Sequence, residues 1–331
     1  MKLSIAIPTY NRADTLPYLL DSILDQIDKS KYDGLEILVS DNASTDSTSA
    51  IVADYSVRHP GLFSYFRNSQ NLGYSKNVDL SVRRSKGAFV LLMSDDDALE
   101  ENTLRPLLNI IEKHASSVSL IFSNVVPYEA DMTNPRPVSA NGGVCERRFD
   151  SGIDFIRATK SFPPALLSGY VVNRRDWQDF ALVDKHVESI IVHMLVALDV
   201  CLYGKGVVTT GLNLVKYRQC NSNTTAIWGL SPLYPFKFYL DCLQGLKDVG
   251  QDKMPRDVYR MLYAAAARTI VFYLARQKIV AHPFDKDDFW DCFGRVKMLF
   301  SIYTAMAYVI RFMPGCLLRP FFGRLVARYP V

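Results

Sequence analysis

Apolar residues come in short blocks along the first 125 positions, and each block ends in polar residues. "KLSIAIP" is a continuous apolar run that predicts a buried strand stopping at Pro8. "TLPYLLDSILDQI" spaces its apolar residues as a helix does, with Asp14 or Thr15 as N-cap. The alternation continues with strand "LEILVSD", helix "STDSTSAIVADYSVRH", strand "LFSYFRN" and helix "YSKNVDLSVRRSKG" ending at Gly87. Strand "AFVLLMSDDD", helix "ENTLRPLLNIIEKHA" and strand "SVSLIFSN" complete it. One strand and one helix about every 25 residues predict an α/β fold, a mostly parallel sheet covered on both faces. Ligands on such sheets sit at the carboxyl ends of strands. Those ends read "PTYNR", "SDNAS", "NSQNLG" and "SDDDA", all polar and all expected along one rim.

The rhythm breaks near residue 127. "VPYEADMTNPRPVSANGGVCERR" is rich in Pro, Gly and Asn and predicts a long loop into a second half. Beyond it, "SGYVVNRRDW" predicts a strand and the start of a helix. "ESIIVHMLVALDVCLYG" is apolar on nearly every side, which predicts a buried helix. "KGVVTTGLNLVKYRQCNSNTT" predicts paired strands and a polar loop, and the chain reads as helical from about residue 231.

Composition adds bounds. With 331 residues, 49% hydrophobic and 22% charged, there is material for a sizeable core. A net charge of +4 gives no argument for nucleic acid as a partner. Six cysteines are scattered without a C-x-x-C pair, which disfavours zinc and fits reduced thiols in the cytoplasm. The apolar run behind Met1 is too short for a signal peptide.

The strand ends hold the candidate chemistry. Asp95, Asp96 and Asp97 stand side by side and repel unless a cation neutralises them. Mg2+ or Mn2+ would do so through one or two carboxylates and substrate phosphate oxygens. The plainer alternative is a solvated acidic turn capping the helix at "ENTLRP". Asp41 can accept hydrogen bonds from a base or ribose, or cap the next helix, a task Ser44 or Thr45 could also perform. Tyr10 offers a face for stacking, and Asn11 and Arg12 offer polar contacts. In "NLGYSKN", Asn71 and Gly73 lie where a backbone can approach a ligand, and Lys76 and Asn77 fall in the next helix's first turn. Gly73 also suits a plain turn.

In this order and spacing, "SIAIPTYNR", "EILVSDNASTDST", "NLGYSKN" and "GAFVLLMSDDDAL" resemble the family 2 glycosyltransferases. The resemblance covers residues 3 to about 125 well and thins out by about 225. Within the family the chain looks most like O-antigen transferases of the abequosyltransferase type. The resemblance implies a GT-A-type, Rossmann-like catalytic domain over 1–225, with a nucleotide half (1–125), an acceptor half (126–225) and a helical region over 226–331. It implies a nucleotide-diphospho-sugar donor held through a divalent metal. Pro8, Tyr10, Asn11 and Asp41 would line the base and ribose pocket. Asp95 and Asp96 would form the metal motif, Asp96 as the direct ligand and Asp97 as a neighbour. One departure is Ser94, which stands where the commoner motif has an Asp.

An inverting transfer needs a base near the acceptor hydroxyl. The family's Glu-Asp pair would fall on Val192 and His193, so the usual dyad is missing. His193 takes the Asp place, and an imidazole of ordinary pKa about 6.5 is chemically suited. A lone His in an apolar helix is also commonly a hydrogen-bonded core residue. Glu188 and Asp184 are its rivals as base. Arg218 in "VKYRQC" can pair with a diphosphate or sit as a surface arginine, and Trp228 in "NSNTTAIWG" can stack on a sugar.

Residues 292–331 hold six basic and no acidic residues among large apolar ones. That mixture suits peripheral attachment to an anionic membrane, the alternative being a helical appendage packed on the catalytic domain or on a second subunit. "MLFSIYTAMAYVI" is too short for a span. The acceptor that the resemblance implies, a lipid-linked glycan on undecaprenyl diphosphate at the inner face of the membrane, agrees with such attachment. Two rivals remain: a sugar nucleotidyltransferase, whose glycine-rich loop "PTYNRAD" lacks, and an inactive sugar-nucleotide-binding subunit.

Overall fold

A computed structural model describes residues 2–27, 34–136, 146–180, 189, 191–219, 241–242, 244–246, 248 and 254–266. The chain divides into two compact units, Met1–Asn221 and Ser222–Val331. In the first, the strands are β1 (Leu3–Thr9), β2 (Leu35–Asp41), β3 (Phe63–Arg67), β4 (Phe89–Leu92), β5 (Ala98–Leu99), β6 (Val118–Tyr128), β7 (Arg147–Phe149), β8 (Tyr170–Asn173) and β9 (Gly206–Arg218). The helices are α1 (Leu16–Leu24), α2 (Thr48–Arg58), α3 (Tyr74–Arg84), α4 (Leu104–His114), α5 (Gly152–Thr159), α6 (Arg174–Phe180) and α7 (Val192–Tyr203).

One sheet runs in the order β3-β2-β1-β4-β8-β6-β9-β5, with β7 also on β9. Strands β3, β2, β1 and β4 are parallel, as the alternation of elements requires. Where the alternation stops, the sheet becomes mixed: β8 opposes β4 and β6, β9 runs with β6, and β5 and β7 oppose β9. Every residue of β1, β2 and β4 is buried, which is why they read as unbroken apolar runs. Leu16, Leu20 and Ile23 of α1 and Leu107 and Ile111 of α4 pack on Ile5, Ile7 and Leu91. Helix α7 is buried from Val192 through Cys201, as its all-round apolarity predicts.

Several boundaries differ from expectation for identifiable reasons. Strand β1 continues through Pro8 to Thr9, because pairing with β4 ends at Ala6 and the missing N–H leaves no gap in that ladder. Thr15 precedes α1 but makes no cap; its hydroxyl donates to the Asp95 carbonyl instead. Helix α4 starts later than predicted, and Gln26 beyond α1 caps it by accepting from the Thr103 and Leu104 amides. Asp46, not Ser44 or Thr45, accepts from the Thr48 amide at the start of α2. Strand β6 runs on to Tyr128, past the predicted loop start. The predicted strand pair after residue 205 is one strand of 13 residues, which finds partners on both edges and so needs no hairpin.

In the second unit, residues 256–266 are helical, with Val258, Leu262 and Ala266 buried at a spacing of one turn. Among the described residues no helix is long and apolar enough to cross a membrane. Asp184, Glu188, Trp228 and the basic tail over 292–331 lie outside the described residues.

Gly87, just before β4, is fixed by space. A Cβ there would lie 2.4 Å from the Ser4 nitrogen and 2.6 Å from the Phe89 carbonyl oxygen, both backbone atoms. Its amide also donates to Ser4 Oγ. Gly87→Ala is expected to destabilise the fold by about 3 kcal/mol or more, above the usual cost of overpacking because no flexible neighbour can yield. Chemical denaturation of the variant against the parent protein measures it.

Candidate active site

Strand β4 sits at the middle of the rim, so the residues after it lie between the loops of β1–β3 and those of β8, β6 and β9. Asp95, Asp96 and Asp97 are 6%, 8% and 2% exposed, which rules out the solvated acidic turn. Two arginines come in from distant strand ends. Arg12, 7% exposed, places Nε 3.2 Å from Asp95 Oδ1 and Nη2 3.6 Å from Asp96 Oδ2. Arg218 donates its amide to Asp97 Oδ1 at 3.0 Å and its Nε to the Asp96 carbonyl at 2.8 Å. Its guanidinium lies 5.2 Å over the Tyr18 ring. Arg12 Nη1 and Arg218 Nη2 are buried with no hydrogen-bond partner among the described residues.

Ser94, the departure from the acidic motif, donates to Asp96 Oδ1 at 2.7 Å and so fixes that carboxylate's orientation. Ser168 accepts from the Ser94 amide and donates to Asp97 Oδ2. Burial pushes the Asp95 carboxyl up, and the charge of Asp96 adds to this against the pull of Arg12. Burial also pushes Asp97 up, with Asp96 reinforcing it. The cluster holds more carboxylate than its arginines neutralise. Among the described residues no group of three acidic, His or Cys side chains could cage a metal alone. The arrangement suits an ion held by one or two carboxylates with the remaining ligands brought by a phosphate.

On the β1–β3 side the loops are tied to one another. Asn11, at φ 53°, donates its amide to Ser44 Oγ and accepts from the Thr45 amide. Asp41 is fully buried and accepts from the Ser44 amide and the Tyr65 hydroxyl, with Arg67 3.6 Å away. Pro8 is buried in β1, while Tyr10 is 38% exposed and presents its ring. Asn71 accepts from Asn42 and the Gly73 amide, shaping the turn where Gly73 has φ 83°. Lys76 is exposed. Asn77 is buried and engages both ends of its amide inside the protein, with Ser40 and Asn68.

His193 is the second residue of α7 and is 3% exposed. Its Nε2 lies 2.7 Å from the Ala165 carbonyl, so Nε2 carries the proton and Nδ1 faces the Tyr74 hydroxyl at 3.4 Å. Burial lowers its pKa to about 4, so the ring is neutral at pH 7. Of the predicted residues, the structure thus brings Arg12, Asp95, Asp96 and Arg218 together. Ser168, Thr15 and Tyr18 belong to the same cluster but carry no sequence signal for it: Ser168 lies 71 residues from Asp97, Thr15 lies 80 residues from the Asp95 carbonyl that it bonds, and Tyr18 is joined only through Arg218.

Residues 4–156 match the model of the family described as Glycosyl transferase family 2. The abequosyltransferase RfbV of Salmonella typhimurium is 38% identical over 115 residues, 35% of this chain and 34% of that protein. A GalNAc(5)-diNAcBac-PP-undecaprenol β-1,3-glucosyltransferase of Campylobacter jejuni is 28% identical over 123 residues, 37% and 38% of the two chains. The chain therefore matches only about a third of the length of these relatives. In fold it resembles Staphylococcus aureus TarS 1-349 solved with UDP-GlcNAc, at TM-score 0.64 and 17% identity over 99% of this chain and 91% of that one. It also resembles the mannosyltransferase PcManGT of Pyrobaculum calidifontis solved with GDP-Man and Mn2+, at TM-score 0.55 and 16% identity over 98% and 88%. These likenesses establish the GT-A fold.

The raised carboxyls have a consequence for metal-free protein. A carboxyl held above its ordinary value of 3.8 binds its proton more tightly folded than unfolded. Stability is therefore full below that value and falls as pH rises through the neutral range. The melting temperature of chelator-treated protein is expected to be higher in mildly acidic than in mildly alkaline buffer. Asp97→Asn should flatten that slope; an unchanged slope would contradict it.

Proposed function

We propose, starting from the glycosyl transferase family 2 domain that residues 4–156 carry, that this chain moves a sugar from a nucleotide-diphospho-sugar to a hydroxyl of a lipid-linked glycan. One observation bears most of the weight: a buried carboxylate cluster, short of positive charge, at the middle of the rim. A nucleotide pocket over β1, β2 and β3 would hold the base against Tyr10 and the ribose near Asp41. The diphosphate would then reach β4, where Arg12 Nη1 and Arg218 Nη2 have hydrogens to donate. A Mn2+ or Mg2+ ion on Asp96 and Asp95 would supply Lewis-acid support for the departing diphosphate. Ser94 keeps Asp96 aimed for it, and Thr15 holds the Asp95 backbone.

His193 is the proposed base, with Glu188 and Asp184 as the alternatives. Its Nδ1 is the nitrogen able to take a proton, and it already meets the Tyr74 hydroxyl, through which an acceptor proton can pass. Inversion at the anomeric carbon, an O-antigen or related surface polysaccharide as product, and peripheral attachment through 292–331 are parts of the same proposal. The undecaprenol-linked acceptor in the name of the Campylobacter relative supports a lipid carrier here. The direct test is a panel of nucleotide-sugars screened for metal-dependent protection against thermal unfolding. Nucleoside diphosphate released only when acceptor is present would separate a transferase from an inactive binder.

Arg12 generates a sharper expectation. It already serves the two carboxylates as a resident cation. A free metal ion must compete with it, whereas a metal–nucleotide complex offers Arg12 a phosphate in exchange. Arg12→Gln is expected to bind Mn2+ without nucleotide about tenfold more tightly than the parent protein, and to lose the gain that nucleotide confers. Calorimetry on the two proteins, with and without nucleoside diphosphate, reads both. Separately, His193→Asn should lower kcat by about a hundredfold or more with little change in donor protection, and Glu188→Gln should not. The reverse ranking would move the base to Glu188.

A further inference from the structure

The loop between α5 and β8, residues 160–169, carries an apolar tip on the mixed half of the sheet. Pro164, Ala165 and Leu166 are exposed there, Leu166 to 36%, and Phe162 is half-buried. We infer that this tip is a bilayer-contacting surface, which docks the first unit on anionic phospholipid separately from the attachment proposed for 292–331. The inference rests on the transferase reading above for its purpose, since a lipid-borne acceptor has to be met at a bilayer, but its test does not.

The tip leaves little backbone polarity for water to satisfy. Pro163 and Pro164 have no amide hydrogen. The Pro164 carbonyl accepts from the Tyr170 hydroxyl, and the Ala165 carbonyl accepts from His193 Nε2. The Phe162 carbonyl accepts from Ser161 Oγ at 3.1 Å. Unpaired backbone groups are what keep ordinary loops out of lipid. Here the carbonyls that a surface loop gives to water are already engaged within the protein, while apolar side chains stay exposed. An exposed apolar tip of this kind marks contact with a partner or a membrane.

The charge around the tip selects the membrane. A cavity lined by Arg147, Thr159, Ser161, Pro164, Ala165 and Leu166 opens beside the tip, which brings Arg147 to it. Lys160 ends α5 in a left-handed turn at φ 55°, directly before the tip. Both cations are exposed. Arg148 pairs with Asp150, Arg157 with Asp154, and Glu146 with Lys113 and His114. Arg147 and Lys160 are left with no carboxylate in ion-pair range among the described residues. Cations flanking an apolar tip suit the headgroups and upper acyl region of an anionic leaflet. The loop is also braced. Ser168 holds the Ser94 amide and Asp97, and the Gly169 amide donates to the carbonyl of Leu92, the last residue of β4. Docking through the tip therefore holds the acidic end of β4 at a set height above the bilayer.

The test uses the full chain without nucleotide, and vesicles of phosphatidylcholine alone or mixed with phosphatidylglycerol. Leu166→Trp puts a reporter on the tip, and Val57→Trp puts one on α2, where Val57 is 80% exposed. On phosphatidylglycerol vesicles the emission at 166 should shift to the blue and be quenched by brominated lipid, and that at 57 should not, after subtraction of the parent protein's signal. The double variant Arg147→Gln, Lys160→Gln should partition onto those vesicles about tenfold more weakly or worse. Quenching at 166 no greater than at 57, or unchanged partitioning of the double variant, would overturn the surface. A shift at 166 that follows protein concentration without vesicles would give the tip to a second copy of the chain and overturn it equally. Should the melting temperature show the double variant to be misfolded, the tryptophan pair decides. Thermal protection of the parent protein by nucleoside diphosphate is measured in parallel. Its absence beside a quenched tip would count against the transferase reading and leave the surface standing.

Discussion

Three carboxylates buried together at the end of one strand constrain nearly everything around them. Water cannot screen them, and charge taken out of water must meet opposite charge or a proton. The fold brings Arg12 from the end of β1 and Arg218 from the end of β9 to meet that demand. Thr15, Ser94 and Ser168 then bind the backbone and side-chain oxygens that remain. Four stretches of chain, remote in sequence, are held at one point by the need to manage this charge. The same arrangement leaves unfilled hydrogen-bonding capacity on both guanidinium groups.

The parallel half of the fold, β1 to β4, was legible because its elements follow local rules. Unbroken apolar runs are what strands covered on both faces look like, and β1, β2 and β4 are such strands. The mixed half was less so. Whether β9 is one strand or a hairpin depends on β6, β7 and β5, residues that no local window contains. The acidic motif could be seen, and its burial could not, since an exposed turn and a buried cluster share the letters "SDDDA". Asn77 shows the converse. Its position in a first turn suggested a ligand contact, yet its amide is committed to Ser40 and Asn68. Ser168 illustrates the hardest case, a small residue whose role exists only through a partner 71 positions away.

The match to family 2 glycosyltransferases and the GT-A likeness fit a sheet whose parallel and mixed halves meet at an acidic centre. The mixed half is where this chain departs from what the resemblance implies. His193 is buried and neutral where a carboxylate base would be expected by resemblance, and it is braced by Ala165 and Tyr74 rather than exposed to solvent. The segment 161–170 connects that histidine to Asp97 and to the cavity wall, so all three share one support.

The mutual grip of Asn11 with Ser44 and Thr45 has a consequence for selectivity. Loops cross-linked in this way before any guest arrives have little freedom left to surrender on association. In the proposed nucleotide pocket such a mould would reward the base whose outline it already fits and would have small capacity to reshape itself around another. Discrimination among nucleotides would then reside in rigidity, set when the chain folds and not when the guest is met.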